Sequence, residues 1–341
     1  MTDETRQPDR ALTTALAQVA AVAGRAPSVH NTQPWCWRVL PDGLELLAVR
    51  DRQLAAIDFD GRLMTLSCGA ALHHARLELA AEGWAMRVDR LPDPAHPDLL
   101  ARIVANGRAP ASREAMRLVQ CMQVRHTDRR PVSDEPVSDE SVKAIVQAGH
   151  AEGARLQILS ADQVMGLAAA ASRAEAVAAA DPQIREELRY WTGRAGPAGT
   201  GVPPEVLPEQ PPQATVPARD FARPGTLPVG PGHDRAAVYA LLFGDEDEPE
   251  SWLRAGEALS AAWLTATRLG VSVVPLSGVI ETVGTRQTLR QMLAGLGYPY
   301  LVLRLGIAGP AHAGPPHTPR MPAEQVVDTS AVRGAQPSRG A

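Results

Sequence analysis

The fold is decided by one stretch, which reads Ala26-Pro27-Ser28-Val29-His30-Asn31-Thr32-Gln33-Pro34-Trp35. Pro27 disfavours helical dihedrals at the residue before it and so ends a preceding helix. Ser28 then stands where a helix N-cap stands, with a side-chain oxygen that can accept a backbone hydrogen bond. His30 and Asn31 add polar groups before an apolar pattern resumes at Trp35. The stretch predicts a turn between a helix and a strand, either a plain capped turn over a core tryptophan or a turn that binds a ligand.

The composition is that of a globular protein with little attraction for polyanions. The chain has 341 residues, 45% of them apolar, which suffices for one large or two ordinary domains. Its formal net charge of −4 gives no basis for binding nucleic acid or an anionic membrane. Lys143 is the single lysine, so any fixed positive charge in a binding site must come from arginine.

Cysteine and histidine usage indicates a reducing compartment and no metal site. The cysteines, Cys36, Cys68 and Cys121, are odd in number and widely spaced, which fits neither a disulfide framework nor a zinc site. His73 and His74 are adjacent on a predicted helix, where neighbours do not share a face, so we expect core-edge or surface histidines rather than metal ligands. The N-terminus lacks an apolar signal-peptide core, and no apolar run approaches the roughly 18 residues of a spanning helix. We therefore expect a soluble, cytoplasmic protein.

The hydrophobic pattern predicts an α+β chain. Apolar residues at helical spacing predict helices over residues 10–24, 63–82, 111–124, 138–149, 161–180, 252–270 and 281–294. Short apolar runs predict strands over residues 35–40, 44–49, 84–88, 99–104, 155–159, 271–276 and 300–305. The small side chains in Ser67-Cys68-Gly69-Ala70-Ala71 let a helix approach a neighbour closely, so the second predicted helix is expected to pack in the core.

Three further stretches are unremarkable when each is taken alone. Arg125-His126-Thr127-Asp128-Arg129-Arg130 has the composition of a solvated helix terminus. Pro275-Leu276-Ser277-Gly278 fits a plain turn from a strand to a helix, and Thr318-Pro319-Arg320 belongs to a polar, extended tail. Their meaning depends on the order in which they follow the Ser28 turn.

A proline-rich stretch covers residues 193–232. It contains ten prolines, which exclude a helix or a central strand. Long stretches of this kind inside a compact chain are usually either disordered or lids over a site. Because Arg219, Phe221 and Arg223 offer anchoring groups, we expect an ordered lid.

Together these stretches resemble the nitroreductase-like FMN proteins. Residues 27–35 resemble the family's PSxxNxQPW turn, and residues 125–129 resemble its RxSxR/K element with Thr127 in place of serine. Residues 269–278 resemble its LG…PxxG element, and residues 318–320 its basic end motif. The chain looks most like the Acg-type subgroup, in which two nitroreductase-like halves are fused in one polypeptide. The resemblance implies the α+β nitroreductase-like fold, with mainly antiparallel sheets flanked by helices in a single-chain pseudo-dimer.

The resemblance also implies how the chain is divided. An N-terminal half at residues 10–110 supplies the turn, and a C-terminal half at residues 115–325 supplies the other three elements, followed by a flexible tail at 326–341. Because the reciprocal motifs are missing, we expect one FMN per chain and a monomer that acts as a pseudo-dimer. The cofactor-binding residues implied are Ser28, His30, Asn31, Arg125, Thr127, Arg129, Ser277, Gly278, Thr318 and Arg320.

In the family, each of these positions has a role toward the flavin. The resemblance implies that Arg125 and Arg320 hold the phosphate through charge-assisted hydrogen bonds. It places Arg129 near N1 and O2, where a cation stabilises reduced flavin, and the Gly278 N–H, with Ser277, at N5, the catalytic position. The implied reaction is the NAD(P)H-dependent, two-electron reduction of a nitro compound, a quinone or a similar small molecule, with the redox step carried by the flavin.

Two features leave a second function open. Thr318 stands where many relatives carry lysine, which removes a charge from the end motif. The proline-rich stretch could cover the flavin and exclude both the nicotinamide and the acceptor. A non-catalytic protein that binds or sequesters FMN therefore remains the alternative. The sequence does not distinguish NADH from NADPH or one acceptor from another.

Overall fold

The computed structural model describes residues 10–193, 199–230, 232–309 and 314–333. Residues 194–198 and 231 of the predicted lid, and 334–341 of the predicted tail, lie outside the described part. The N-terminal elements are α1 (Arg10–Ala23), β1 (Trp35–Val39), β2 (Gly43–Ala48), α2 (Arg62–Ala81), β3 (Trp84–Arg90), β4 (Leu99–Arg108) and α3 (Arg113–Val124).

A similar series of strands follows. Its elements are α4 (Asp139–Ala151), β5 (Arg155–Ile158), α5 (Ala161–Ala180), α6 (Pro182–Trp191), β6 (Val238–Gly244), α7 (Pro249–Arg268), β7 (Val271–Leu276), α8 (Gly278–Glu281), α9 (Val283–Met292) and β8 (Tyr298–Ile307). The chain then ends on α10 (Ala323–Val326), β9 (Val327–Asp328) and α11 (Ser330–Arg333).

The two sheets share one strand order. The first runs β3-β4-β2-β1-β9 and the second runs β7-β8-β6-β5, so in both the third strand of the series is at one edge and the fourth is beside it. Neighbouring strands are antiparallel, except that β9 pairs with β1 in parallel. The prediction of an α+β fold with mainly antiparallel sheets flanked by helices is confirmed.

The end of the chain crosses back to the first sheet. Val327 and Asp328 pair with Trp37 and Arg38 of β1. The prediction that residues 326–341 form a flexible tail is therefore wrong for residues 326–333. The sequence pattern misses this strand because two residues are too few to show an alternation, and their pairing is with a distant part of the chain.

The sequence pattern also misses two longer elements. The helix α6 begins with a proline at its first position, and the Asp181 carboxylate accepts hydrogen bonds from two backbone N–H groups there. This start signal can be read from the sequence. The strand β6 is almost wholly buried, and its apolar run follows directly on the proline-rich stretch. Among the described helices, none is long and apolar enough to cross a membrane.

The helices α2 and α7 cross at two glycines, and this crossing joins the two sheets. A Cβ on Gly69 would overlap the carbonyl oxygen of Leu253 and lie 3.0 Å from Cα of Gly256. A Cβ on Gly256 would overlap the carbonyl oxygen of Leu66 and lie 2.8 Å from Cα of Gly69. Each glycine therefore meets the carbonyl three residues before the other glycine. The contact is reciprocal, as it is across a two-fold axis.

We predict that Gly256→Ala destabilises the protein. The added methyl has no free space, because backbone atoms cannot move aside as flexible side chains do, and overpacking of this kind costs about 1–3 kcal/mol or more. Urea unfolding should therefore show a lower midpoint and a lower free energy of unfolding.

Gly284→Ala is the matched control for this prediction. Gly284 also lies in a helix, but a Cβ there meets no atom within 4 Å. The higher helix propensity of alanine should leave this variant as stable as the parent or more stable by up to about 1 kcal/mol. Equal midpoints for the two variants would contradict the crossing described here.

Candidate functional site

The backbone of the turn at residues 28–33 has an unusual conformation. His30, Asn31 and Gln33 all have positive φ angles, of 45°, 56° and 49°. Residues other than glycine rarely have positive φ angles, and those that do tend to cluster at functional sites. Ser28 does precede a short 3₁₀ turn, but its hydroxyl oxygen does not cap that turn. It accepts instead the N–H of Gln33 at 2.9 Å, which closes the loop on itself.

Polar side chains of the turn fasten it to two distant segments. The Asn31 amide donates to the carbonyl oxygens of Gly201 at 3.0 Å and Pro319 at 2.9 Å. The Gln33 amide donates to the Gly199 carbonyl at 2.8 Å. Asn31 therefore uses its side chain within the protein, joining the turn to the proline-rich stretch and to the C-terminal arm.

A buried arginine of β8 forms hydrogen bonds with the charged segment that follows α3. Arg304 donates to the carbonyl oxygens of Asp128 at 2.9 Å and Arg130 at 2.8 Å. Its Nη1 donates to the Asp234 carboxylate at 2.7 Å. These bonds position the segment that carries Arg125 and Arg129, both of which line the cavity described below.

Arg125 and Arg320 lie close together, Arg125 buried and Arg320 partly buried. Arg125 stacks over the ring of Trp263 at 4.5 Å and donates to the Arg25 carbonyl at 3.3 Å. Arg320 donates to the same carbonyl at 3.2 Å and to the Thr318 hydroxyl at 2.6 Å. The Nε atoms of both guanidinium groups are buried without a hydrogen-bond partner.

No carboxylate of the described residues forms an ion pair with either guanidinium, and their pKa values reflect this. Burial, together with the nearby charge of Arg320, lowers the pKa of Arg125 to about 9. Burial likewise lowers the pKa of Arg320 to about 10. Buried charges are almost always paired, so two adjacent unpaired cations indicate a site for an anionic ligand.

Arg129 is a third cation, partly buried and placed further along the same wall. It donates to the Val206 carbonyl at 3.3 Å and lies 5.2 Å from the ring centre of Phe221. Desolvation, together with the nearby charge of Arg304, lowers its pKa to about 10. Burial also lowers the pKa of His30 well below its usual value, so this histidine is neutral.

One cavity of about 1010 Å³ brings all of these groups together. Its size is at the upper end of the range for small-molecule sites. Every site residue predicted from the sequence lines it: Ser28, His30, Asn31, Arg125, Thr127, Arg129, Ser277, Gly278, Thr318 and Arg320. Residues 202–224 of the proline-rich stretch line much of the remaining wall. Among the described residues, no group of three or more His, Cys, Asp or Glu side chains could hold a metal ion.

Several relatives of this chain carry nitroreductase names. A Mycobacterium tuberculosis protein named "Putative NAD(P)H nitroreductase Rv3131" is 40% identical over 316 residues, which cover 91% of this chain and 90% of that protein. Another, named "Putative NAD(P)H nitroreductase acg", is 34% identical and covers 94% of this chain and 97% of that protein. The chain belongs to the nitroreductase family.

Solved structures of the nitroreductase family overlap the chain in part. A nitroreductase with bound FMN from Bacteroides fragilis is 12% identical and covers 58% of this chain and 91% of its own, with a TM-score of 0.37. One from Desulfitobacterium hafniense, also with bound FMN, is 15% identical and covers 60% and 94%, with a TM-score of 0.38. No family model matches the sequence.

Some residues of the cavity wall escape prediction from sequence. Trp263 lies within the predicted helix at 252–270, where nothing local indicates a partner, yet Arg125 stacks over its ring. Glu175 of α5 and Glu281 of α8 ion-pair with Arg219. An isolated glutamate on a helix carries no signal of such a partner. Of the predicted lid anchors, Arg219 and Phe221 are at least half-buried, whereas Arg223 is exposed.

We predict that Arg125→Met stabilises the ligand-free protein. At pH 7, Arg125 is protonated in both the folded and the unfolded chain, because pH 7 lies below both pKa values. The cost of burying its charge is therefore fully present. Replacing it with a side chain of similar length should raise the free energy of unfolding by about 1–4 kcal/mol, less the lost stacking on Trp263. Urea unfolding of protein stripped of ligand measures the change.

Arg304→Met is the matched control, since Arg304 is equally buried but paired with Asp234. Removing one partner of a buried pair leaves the other charge uncompensated and costs about 3–5 kcal/mol. The two substitutions should therefore shift stability in opposite directions. A loss of stability in both would mean that Arg125 is a structural residue.

Proposed function

We propose that this chain is an FMN-dependent oxidoreductase that uses NAD(P)H to reduce a small-molecule acceptor, such as a nitro compound or a quinone, by two electrons. The observation that carries the proposal is the pair Arg125 and Arg320, which line one cavity and have no carboxylate partner among the described residues. Two relatives named as NAD(P)H nitroreductases, each matched by this chain over nine tenths or more of its length, support it.

The residues present fit FMN. Its phosphate is a dianion, and two guanidinium groups with unsatisfied Nε–H donors supply the charge and hydrogen bonds that such an anion needs. The cavity is large enough for a flavin, and both apolar and polar side chains line it, which suits a cofactor with an apolar ring and a charged phosphate. Arg125 and Arg320 would hold the phosphate, with Thr318 orienting Arg320.

When bound, FMN would supply the hydride chemistry, accepting from NAD(P)H and donating to the acceptor. The chain's own residues bind and orient it. Arg129 contributes a partly buried positive charge to the part of the wall that the proposal assigns to the flavin ring. Gly278 begins α8 on the same cavity, and because it has no side chain, ligand atoms can approach its backbone. The neutral His30 adds a polar group without adding charge.

We further propose that the chain is a fused pseudo-dimer with one site. The repeated strand order and the reciprocal glycine contact support two related halves, at about residues 10–110 and 115–325. The turn comes from the first half, and the arginines and Gly278 come from the second. A single chain thus completes a site, so a monomer is sufficient for activity.

A second function, FMN storage, is favoured by one observation. The proline-rich segment, defined here as residues 199–230, has buried residues of its own, such as Val206 and Leu207, and lines the cavity. A lid that stays closed would keep NAD(P)H from the flavin. The two functions differ in turnover and not in flavin binding.

We predict that the protein binds one FMN per chain and prefers FMN to riboflavin. The two ligands differ by the phosphate, so the preference measures the contribution of Arg125 and Arg320. Each Arg→Gln variant should lower FMN affinity by about tenfold or more, because a charged hydrogen bond contributes roughly 1.5–3 kcal/mol. Riboflavin affinity should change little. Fluorescence titration of the apoprotein gives both constants.

Arg117 of α3 provides the control, because its side chain is 66% exposed and its ion pair with Glu114 lies on the surface. Arg117→Gln should bind both flavins like the parent. A parent protein that binds riboflavin as tightly as FMN would remove the phosphate assignment. Two FMN per chain would remove the single-site assignment.

We predict that NADH or NADPH reduces the bound FMN in the absence of oxygen. Bleaching of the flavin absorbance in an anaerobic stopped-flow experiment measures the rate, and dithionite gives the fully reduced endpoint. Bleaching by a nicotinamide followed by reoxidation on adding a quinone or nitroaromatic would establish the enzyme. Reduction by dithionite alone would favour FMN storage.

A further inference from the structure

Arg219 is the one charged residue of the proline-rich segment whose side chain is buried. Glu205, Glu209, Asp220 and Arg223 of the same segment are exposed, whereas the Arg219 side chain is only 10% exposed. A charged side chain in a loop normally stays in water, because burial of an unpaired charge is costly. Its burial here therefore requires partners.

Those partners come from three elements outside the segment. Arg219 donates from Nη1 to Oε1 of Glu281 on α8 at 2.7 Å, and its Nη2 bonds the second oxygen of that carboxylate. Its Nε lies 3.9 Å from Oε1 of Glu175 on α5. Its Nη1 also lies 3.2 Å from Nε2 of His30 in the turn, which accepts because an arginine can only donate. The Arg219–Glu281 pair has the bidentate geometry of strong ion pairs.

The next two residues strengthen the attachment. The Asp220 N–H donates to Oε2 of Glu175 at 2.9 Å. The Phe221 ring meets the His30 ring edge-on with 6.0 Å between ring centres. The Phe221 carbonyl accepts the Thr192 hydroxyl at 2.7 Å. Residues 219–221 therefore fix the segment to both sides of the cavity.

This attachment lies beside Gly278. A Cβ on Gly278 would be 3.4 Å from Oε1 of Glu175 and 3.7 Å from Nη2 of Arg219. If the segment moved away, Glu175 and Glu281 would face the cavity without their counter-charge. Glu281 has a side chain only 5% exposed, so it would not be solvated by a small displacement. Opening therefore means separating a buried ion pair, not merely shifting a loop.

We propose that Arg219 is a latch that holds the proline-rich segment closed over the cavity, and that its ion pair with Glu281 must break before a ligand enters or leaves. The prolines restrict the unfolded conformations of the segment, so it closes as a stiff strap at low entropic cost. The statement that the ligand is FMN rests on the proposed function. The closure itself rests on the contacts of Arg219.

The test uses the full-length protein with Arg219→Gln, Glu281→Gln and the double variant. Limited digestion with chymotrypsin reports opening at the Phe221–Ala222 bond, which none of the variants alters. The bonds after Leu207 and Leu227 are not cleaved, because a proline follows each of them. A second readout is the rate at which bound FMN is released on dilution, followed by flavin fluorescence. Each single variant should increase segment cleavage and FMN release by about tenfold or more. The double variant should add little, because both residues act through one pair.

Arg223→Gln is the matched control, an exposed arginine four residues further along the same segment. It should match the parent in both assays, and Arg219→Lys, which keeps the charge, should restore part of the protection. The latch is overturned if Arg219→Gln is cleaved no faster than Arg223→Gln. It is also overturned if cleavage extends after Trp35 and Trp37 in the core at the same rate, since Arg219 would then support global stability only. Digestion without flavin tests the latch even if no FMN binds.

Discussion

The crossing of α2 and α7 at Gly69 and Gly256 is the contact on which the site depends. The two backbones approach so closely that neither glycine can carry a side chain, and the approach is reciprocal. It fixes the first sheet against the second. The turn at residues 28–33, which leads into β1, is thereby held opposite residues 125–129 and Gly278. The cavity lies between segments that this helix crossing holds in place, and residues from both sides of the crossing line it.

The arginines around the cavity differ in their partners. Arg304 bonds a carboxylate and two carbonyls, and it holds the segment that carries Arg125 and Arg129. Arg219 pairs with carboxylates of α5 and α8 and ties the proline-rich segment to them. Arg125 and Arg320 bond backbone carbonyls and form no ion pair with a carboxylate of the described residues, so the charge of each is uncompensated. Charge balance therefore distinguishes Arg304 and Arg219 from the two arginines that we propose bind the phosphate.

The predicted site residues came from the order of four stretches and their resemblance to one family, since each stretch taken alone fits a plain turn or a polar terminus. The structure brings these residues to one cavity. The prediction was incomplete where a residue has two uses. Asn31 was expected to face a ligand, yet its amide joins the Gly201 and Pro319 carbonyls. Nothing local to Asn31 indicates partners that lie more than 160 residues away.

The class of the fold, most of the helices and most of the strands follow from the sequence alone, because the period of apolar residues is a local property of the chain. The resemblance of four stretches to one family indicated polar residues that line the cavity. How these residues are charged and paired depends on the tertiary structure. The isolation of Arg125 from carboxylates, the burial of Arg219 between Glu175 and Glu281, and the return of β9 to β1 are relations between distant segments. Such relations are set by packing and desolvation, which no short window of sequence contains.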